Sequence, residues 1–273
     1  MSFLKQKLKY IIFFFCVISL FDLSAQMLSP TYSVWQGFAF DKAEVVASRE
    51  AEERFARFVL GLESVAPTQQ CEQIEQLFLK TEKYGVTVRF LDLTEKYLYS
   101  PNSPYRNDEK CLLFFDVANK YGISTFVNSK HYQKIYSALQ KNSIGRVASD
   151  FAYTTPQGVE GKMYDDKHNW LILFFNDPEC DECRYVKNSL DRASDLLRTK
   201  DVGVLAIYID ENVEVWRKAV YPASWISVYA PEVSKETIYD IKALPTLYLL
   251  DKKKNVVLKD VMVEQLLYYL NIK

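Results

Sequence analysis

The sequence predicts two parts of different class: an all-α region over residues 26–143, then an α/β region with a mixed sheet over residues 144–273. Three observations predict this. From Ala43 to about Gln140, apolar residues recur at helical spacing and strand signals are few. Beyond Ile144-Gly145, continuous apolar runs alternate with helical patterns, which implies layers of helix on sheet. Near the end, the polar stretch Asp251–Asn255 separates two apolar runs and reads as a β-hairpin. The length, 273 residues, suits two ordinary domains. With 49% hydrophobic and 25% charged residues and only 8 Gly and 9 Pro, the composition is that of a folded chain, not a low-complexity one.

The first residues read as a secretory signal peptide over 1–25. Lys5, Lys7 and Lys9 give a basic start, Tyr10–Leu20 is an apolar run, and Leu23-Ser24-Ala25 supplies small residues, with cleavage expected after Ala25. The run is 11 residues, well below the roughly 20 that a membrane-spanning helix needs, which favours a cleaved signal over a retained anchor. The expected location is therefore the periplasm or the outside of the cell. Removing Lys5, Lys7, Lys9 and Asp22 takes the net charge from −1 to about −3. No basic block stands out, so nucleic acid and anionic membrane surfaces are not expected partners.

Residues 26–40 read as an irregular lead-in. Phe55, Phe58, Val59 and Leu62 share one helical face, and Ile74, Leu77, Phe78 and Thr81 repeat the pattern before Gly85, a helix stop. Val86–Tyr99 reads as a third helix, and Ser100-Pro101-Asn102-Ser103-Pro104 breaks the chain. Helices are expected again over Asn107–Tyr121 and His131–Lys141, the latter with Tyr132, Ile135, Tyr136 and Leu139 on one side.

In the second part Phe151–Thr155 is a β-type run followed by a turn over Gln157–Gly161. Trp170–Phe175 and Val202–Ile209 are continuous apolar runs, typical of strands covered on both faces. Asp181–Arg198 carries Val186, Leu190, Ala193 and Leu197 at helical spacing, and Glu236–Ile241 suggests a short helix. Thr246–Leu250 and Val256–Leu258 form the hairpin, and Val263, Leu266, Leu267 and Leu270 mark a closing helix.

The chemistry concentrates in Pro178-Glu179-Cys180-Asp181-Glu182-Cys183, between a buried strand and a helix. A cysteine at a helix N-terminus faces the positive end of the helix dipole and unpaired N–H groups, which favour thiolate. A second cysteine three residues on falls on the same side of the first turn, within reach of a small disulfide. Thiolate is the attacking species in disulfide exchange, so Cys180 and Cys183 are the candidate redox pair. A static structural disulfide, half a zinc site or a chance pair are the competing readings. Zinc is disfavoured because His131 and His168 are the only histidines, and neither a metal nor a cofactor is expected. Far along the chain, Leu244-Pro245-Thr246 joins a helical segment to a strand.

Strand, Cys180-x-x-Cys183, helix, Leu244-Pro245-Thr246, hairpin and closing helix, in that order, resemble the thioredoxin-like thiol-disulfide oxidoreductases over about residues 145–273. The resemblance implies an α/β thioredoxin-like fold with a mixed sheet. It also implies a cis-proline at 245 packed beside the cysteine pair, with Leu244 offering backbone hydrogen bonds to an extended substrate and Thr246 supporting the groove. Cys180 would be the attacking cysteine and Cys183 the buried resolving one. The sequence also departs from the family. Asp181-Glu182 replace Gly-Pro, Glu179 replaces the usual Trp, and Phe174 aligns with a buried acid that thioredoxins use to move protons. Glu179, Asp181 and Glu182 are expected to oppose the helix dipole and weaken thiolate stabilisation at Cys180. That gives a more stable disulfide and a more reducing couple; the other reading makes them solvated acids suited to a helix start. The segment Glu211–Val233, with Trp216 and Trp225, lengthens the path to Pro245; it resembles insertions of the periplasmic membrane-associated reductases, or is simply a packed surface helix.

Glu95–Asn107, reading EKYLYSPNSPYRN, resembles the signature of an uncharacterised helical domain that precedes thioredoxin-like domains in exported Gram-negative proteins. Tyr99, Tyr105 and Arg106 there either bind a partner or pack and cap an interhelical turn. Without Cys16, lost with the signal, four cysteines remain. Cys71 and Cys111 would close a loop of about 40 residues if bridged, worth roughly 4 kcal/mol; buried thiols or a second redox pair are the alternatives. The whole chain is thus expected to be an exported reductase or isomerase of protein disulfides. Its partners would be protein or small-molecule disulfides and an upstream thiol electron donor. The competing reading is a non-catalytic binding scaffold for an envelope client.

Overall fold

The computed structural model describes residues 33–272. The expected signal peptide, with Cys16 and Ala25, lies outside them, as do residues 26–32 of the lead-in. No helix among the described residues is long and apolar enough to cross a membrane. The chain forms two compact units. One runs to Tyr97 and takes up Leu113–Ser129; the other comprises Leu98–Leu112 and the chain from Lys130 onward.

The first unit is all helical, with helices over Ala43–Val46, Arg49–Gly61, Pro67–Lys83, Thr87–Thr94 and Ser124–Val127, and the second half of Asp108–Lys120. Pro67 opens its helix at the first turn, where the missing N–H costs nothing. The same helix ends at Gly85 (φ +68°), with the Val86 N–H donating back to the Thr81 carbonyl at 2.9 Å. The predicted faces are buried: Phe55, Phe58 and Phe78 surround Phe114 with ring centroids 5.8–6.2 Å apart. The end of the lead-in is more than a tether, since Trp35, Phe38 and Phe40 are buried and Trp35 meets Phe58 and Phe90 edgewise or tilted. The predicted Val86–Tyr99 helix is α-helical only to Thr94 and continues as a π-helical turn over Glu95–Tyr99.

The second unit is built on a seven-stranded mixed sheet. Its strands are β1 (Ala152–Thr154), β2 (Glu160–Lys162), β3 (Trp170–Phe175), β4 (Val202–Tyr208), β5 (Ile226–Tyr229), β6 (Thr246–Asp251) and β7 (Val256–Lys259), in the order β2-β1-β5-β4-β3-β6-β7. β3, β4 and β5 run parallel, and β6 and β7 run antiparallel on the far side of β3. The continuous apolar runs are explained by two covered faces. Ile172 and Phe174 point into one core with Leu190, Leu249 and Leu266; Leu171, Leu173 and Phe175 point into the other with Ile207, Tyr239 and Tyr248.

Several local expectations need correction. Asp181–Arg198 is two helices, Asp181–Arg192 and Ser194–Thr199, divided at Ala193. Glu236–Ile241 is not helical. A short helix, Glu232–Lys235, ends just before it, where Thr237 takes φ +49° and the Ile238 N–H donates to the Val233 carbonyl at 3.0 Å. The turn expected over Gln157–Gly161 is present but shorter, over Pro156–Gly158, and Glu160 and Gly161 belong to β2, which pairs with β1. The Glu211–Val233 insertion holds a helix, Val213–Lys218, and the strand β5. Of the two cysteines weighed for a bridge, Cys71 is half-buried and Cys111 fully buried, and both stand as thiols.

Candidate active site

β3 delivers the chain into a turn, Asn176–Glu179, and the Asp181–Arg192 helix then starts. Cys180 is the residue capping that helix. Its backbone is extended (φ −79°, ψ 129°), and its sulfur accepts the N–H of Cys183 at 3.4 Å, one of the orphan donors of the first turn. Cys180 is half-buried, whereas Cys183 is 1% exposed and belongs to the core beneath the helix with Phe174 and Leu190. The Cys183 sulfur accepts the Asp177 N–H at 3.4 Å. Burial pushes the Cys183 thiol up to about 12, against the pull of that N–H.

The second half of the site comes from 64 residues further on. The Leu244–Pro245 bond is cis, and the Cys180 thiol donates to the Leu244 carbonyl at 3.9 Å. The register explains the meeting: Thr246, the first residue of β6, pairs with Phe175, the last of β3, so the approach to β6 lies against the turn that leaves β3. Thr246 is buried and its hydroxyl donates back to the Ala243 carbonyl at 2.7 Å, closing the loop around Leu244 and Pro245. Cys180, Cys183, Leu244, Pro245 and Thr246 are thus brought together. Glu179, Asp181 and Glu182 ring the helix start and are exposed, and Asp181 forms an ion pair with Arg184. Phe174 is fully buried below Cys183, where the resemblance would have an acid.

Two residues near the pair were not singled out in the sequence. Asn176 is buried, donates to the Phe174 and Ile207 carbonyls at 3.0 and 3.3 Å, and accepts the Tyr221 hydroxyl at 2.5 Å. Tyr221 comes from the insertion; burial raises its phenol, and its ring stacks on Trp225 at 6.3 Å. Together with Asp177, Lys187 and Lys218 they line a cavity of about 530 Å³ that reaches Cys183. The only sequence signal for Tyr221 is its place in the insertion.

A family model described as a domain of unknown function, DUF5106, matches residues 23–142. A crystal structure of a thioredoxin-like protein from Bacteroides caccae is similar over 90% of this chain and 92% of its own, with 32% identity and a TM-score of 0.81. The C-terminal domain of an uncharacterized protein from Bacteroides fragilis matches 48% of this chain and 98% of its own, at 34% identity and a TM-score of 0.46. A conserved protein of unknown function from the same species matches 47% of this chain and 98% of its own, at 37% identity and a TM-score of 0.44. No curated protein matches. With the Bacteroides caccae protein alike over nine-tenths of both chains, this chain belongs to the thioredoxin-like proteins and carries the DUF5106 region ahead of its thioredoxin-like sheet.

Proposed function

We propose that the protein is an exported thiol-disulfide oxidoreductase that reduces or isomerises disulfides. The observation that carries this reading is the half-buried Cys180 at a helix start, facing the Leu244 carbonyl beside Pro245, with Cys183 directly behind it. Cys180, as thiolate, attacks one sulfur of the substrate disulfide. The S–S bond breaks, the departing sulfur leaves as thiolate and takes a proton, and a mixed disulfide joins Cys180 to the substrate. Cys183 loses its proton and attacks the Cys180 sulfur, releasing the second substrate thiol and leaving a Cys180–Cys183 disulfide. Two electrons have passed to the substrate, and a dithiol donor restores the pair. Leu244, Pro245 and Thr246 form the wall along which an extended substrate lies. The signal-like start at residues 1–25 supports action in the periplasm or outside the cell, where disulfides persist.

The test is reduction of insulin with dithiothreitol as donor. The wild type accelerates precipitation, Cys180→Ser abolishes the acceleration, and Cys183→Ala accumulates the mixed disulfide on non-reducing gels. A wild type no faster than dithiothreitol alone would make the pair a static feature of a binding scaffold.

A further inference from the structure

A segment within the region matched by DUF5106 supplies side chains to the loop that faces Cys180. Leu98–Leu112 belongs to the same compact unit as the sheet. Its turn is closed at the base, where the Asn107 N–H donates to the Leu98 carbonyl at 2.9 Å. Asn107 Oδ1 accepts the Lys110 N–H at 2.9 Å and caps the helix that follows. From this frame, Tyr99, Arg106 and Asp108 reach the connection ahead of Pro245 and the end of β7. The Tyr99 hydroxyl donates to Asp240 Oδ1 at 3.1 Å, and Lys242 Nζ sits 4.4 Å from the Tyr99 ring centre. Lys242 is ion-paired with Asp108 and lies 3.4 Å from Asp240 Oδ2. Lys259 Nζ lies 3.5 Å from Asp108 Oδ2, and Arg106 pairs with Asp260 at 2.9 Å.

The lysines and Asp108 are deeply buried: the side chains of Lys242, Lys259 and Asp108 are 5%, 1% and 6% exposed. A buried ion pair gains little over well-packed apolar residues, but removing one member leaves an uncompensated charge, so such a pair resists being displaced. Asp240 and Lys242 therefore cannot slide without breaking several contacts. Downstream, Thr246 is fixed by its pairing with Phe175 and its bond to the Ala243 carbonyl. Only Ala243, Leu244 and Pro245 lie between the two anchors.

We infer that Tyr99, Arg106 and Asp108 are positioning residues for the substrate-side loop: they anchor Asp240, Lys242 and Asp260 and thereby set where the Leu244 carbonyl faces Cys180. The kinetic part of this inference rests on the proposed attack by Cys180; the structural part does not. The region matched by DUF5106 thus takes part in building the redox site through this segment.

The test compares the full-length, reduced wild type with Asp108→Asn, Lys242→Gln, their double variant and the milder Tyr99→Phe. A Phe78→Leu variant, whose change lies in the other compact unit, serves as a control for lost stability. Hydrogen exchange is followed by mass spectrometry well below the melting temperature. Asp108→Asn is expected to speed exchange over residues 240–247 at least tenfold while β3 and β4 keep their rates. In the disulfide-reduction assay KM rises at least fivefold with kcat within twofold, and the double variant is no worse than the poorer single. The control shows neither change. Should Asp108→Asn fail to fold, Tyr99→Phe carries the same local exchange test, with a smaller increase confined to 240–247. Unchanged exchange there in a folded variant, or equal acceleration across β3 and β4, overturns the inference. A wild type that reduces no disulfide sinks the proposed activity alone, and the exchange result still decides the positioning role.

Discussion

Cys180 and Cys183 carry the same atoms and meet different surroundings. Cys183 is buried in the core at the foot of the cavity, and its raised thiol, about 12, sets its chemistry while the substrate is absent. In the reduced protein, iodoacetamide at pH 8 is expected to label Cys180 and spare Cys183, whose labelling rate climbs about tenfold per pH unit toward 12. Mass spectrometry of tryptic peptides reads this directly; equal labelling at pH 8 contradicts it. The same burial has a sign for stability. A thiol raised from its ordinary 9.0 contributes stability that is complete below pH 9 and is lost as the pH climbs through about 12. Reduced Cys183→Ala should therefore lose less stability than the wild type between pH 9 and 11, as read by denaturant midpoints. The exposed acids Glu179, Asp181 and Glu182 act through solvent, and one of them is shared with Arg184. Their neutralisation to Gln, Asn and Gln should raise the reduction potential by no more than about 30 mV, an effect that fades in salt. The wild-type couple is expected nearer about −270 mV than about −120 mV.

At the scale of elements, the site depends on the junction of β3, the Asp181–Arg192 helix and the start of β6. Thr246→Val keeps the shape and removes the donor to the Ala243 carbonyl. It is expected to cost about 1–3 kcal/mol, measured by urea denaturation. Phe114→Ala, which empties the centre of the aromatic cluster in the helical unit, should cost about 3–5 kcal/mol. What was legible in the sequence follows the same physics. β3, β4 and β6 could be read because both faces are covered and nearly every side chain is apolar, Thr246 and Asp251 at the ends of β6 apart. β2 could not, since Glu160-Gly161-Lys162 has no apolar pattern and is a strand only because β1 pairs with it. Residues 236–241 misled because Ile238, Tyr239 and Ile241 bury their side chains at helix-like spacing from an irregular backbone. The cysteine pair and Pro245 were legible because local motifs carry them. The Tyr221–Asn176 bond spans 45 residues and the Arg106–Asp260 bond 154, and neither leaves a trace in local pattern.

At the scale of the molecule, the expected domain boundary near residue 143 and the compact units differ in one informative way. Leu98–Leu112 and Lys130–Gln140 group with the sheet, although the sequence reads them as part of the helical region. A fragment beginning at residue 144 would lose Asp108 as a partner for Lys242 and Lys259, and Asn142, whose amide donates to the Ile238 carbonyl at 2.9 Å. Such a fragment is expected to melt about 10 °C below the sheet-containing unit of the full chain, by calorimetry; an unchanged transition would show that these contacts contribute nothing net. The sheet order carries a further consequence. β5 and β1 close off the side of β4, so the outermost strands are β2 and β7, three and four residues long. β2 displays Glu160 and Lys162, both exposed, and Asn255, just ahead of β7, is already bridged to Val147. Among the described residues, the sheet therefore presents no long rim of open amides to an extended chain or to a second copy of this protein. Edges this short leave the described sheet little to offer to backbone-mediated self-assembly.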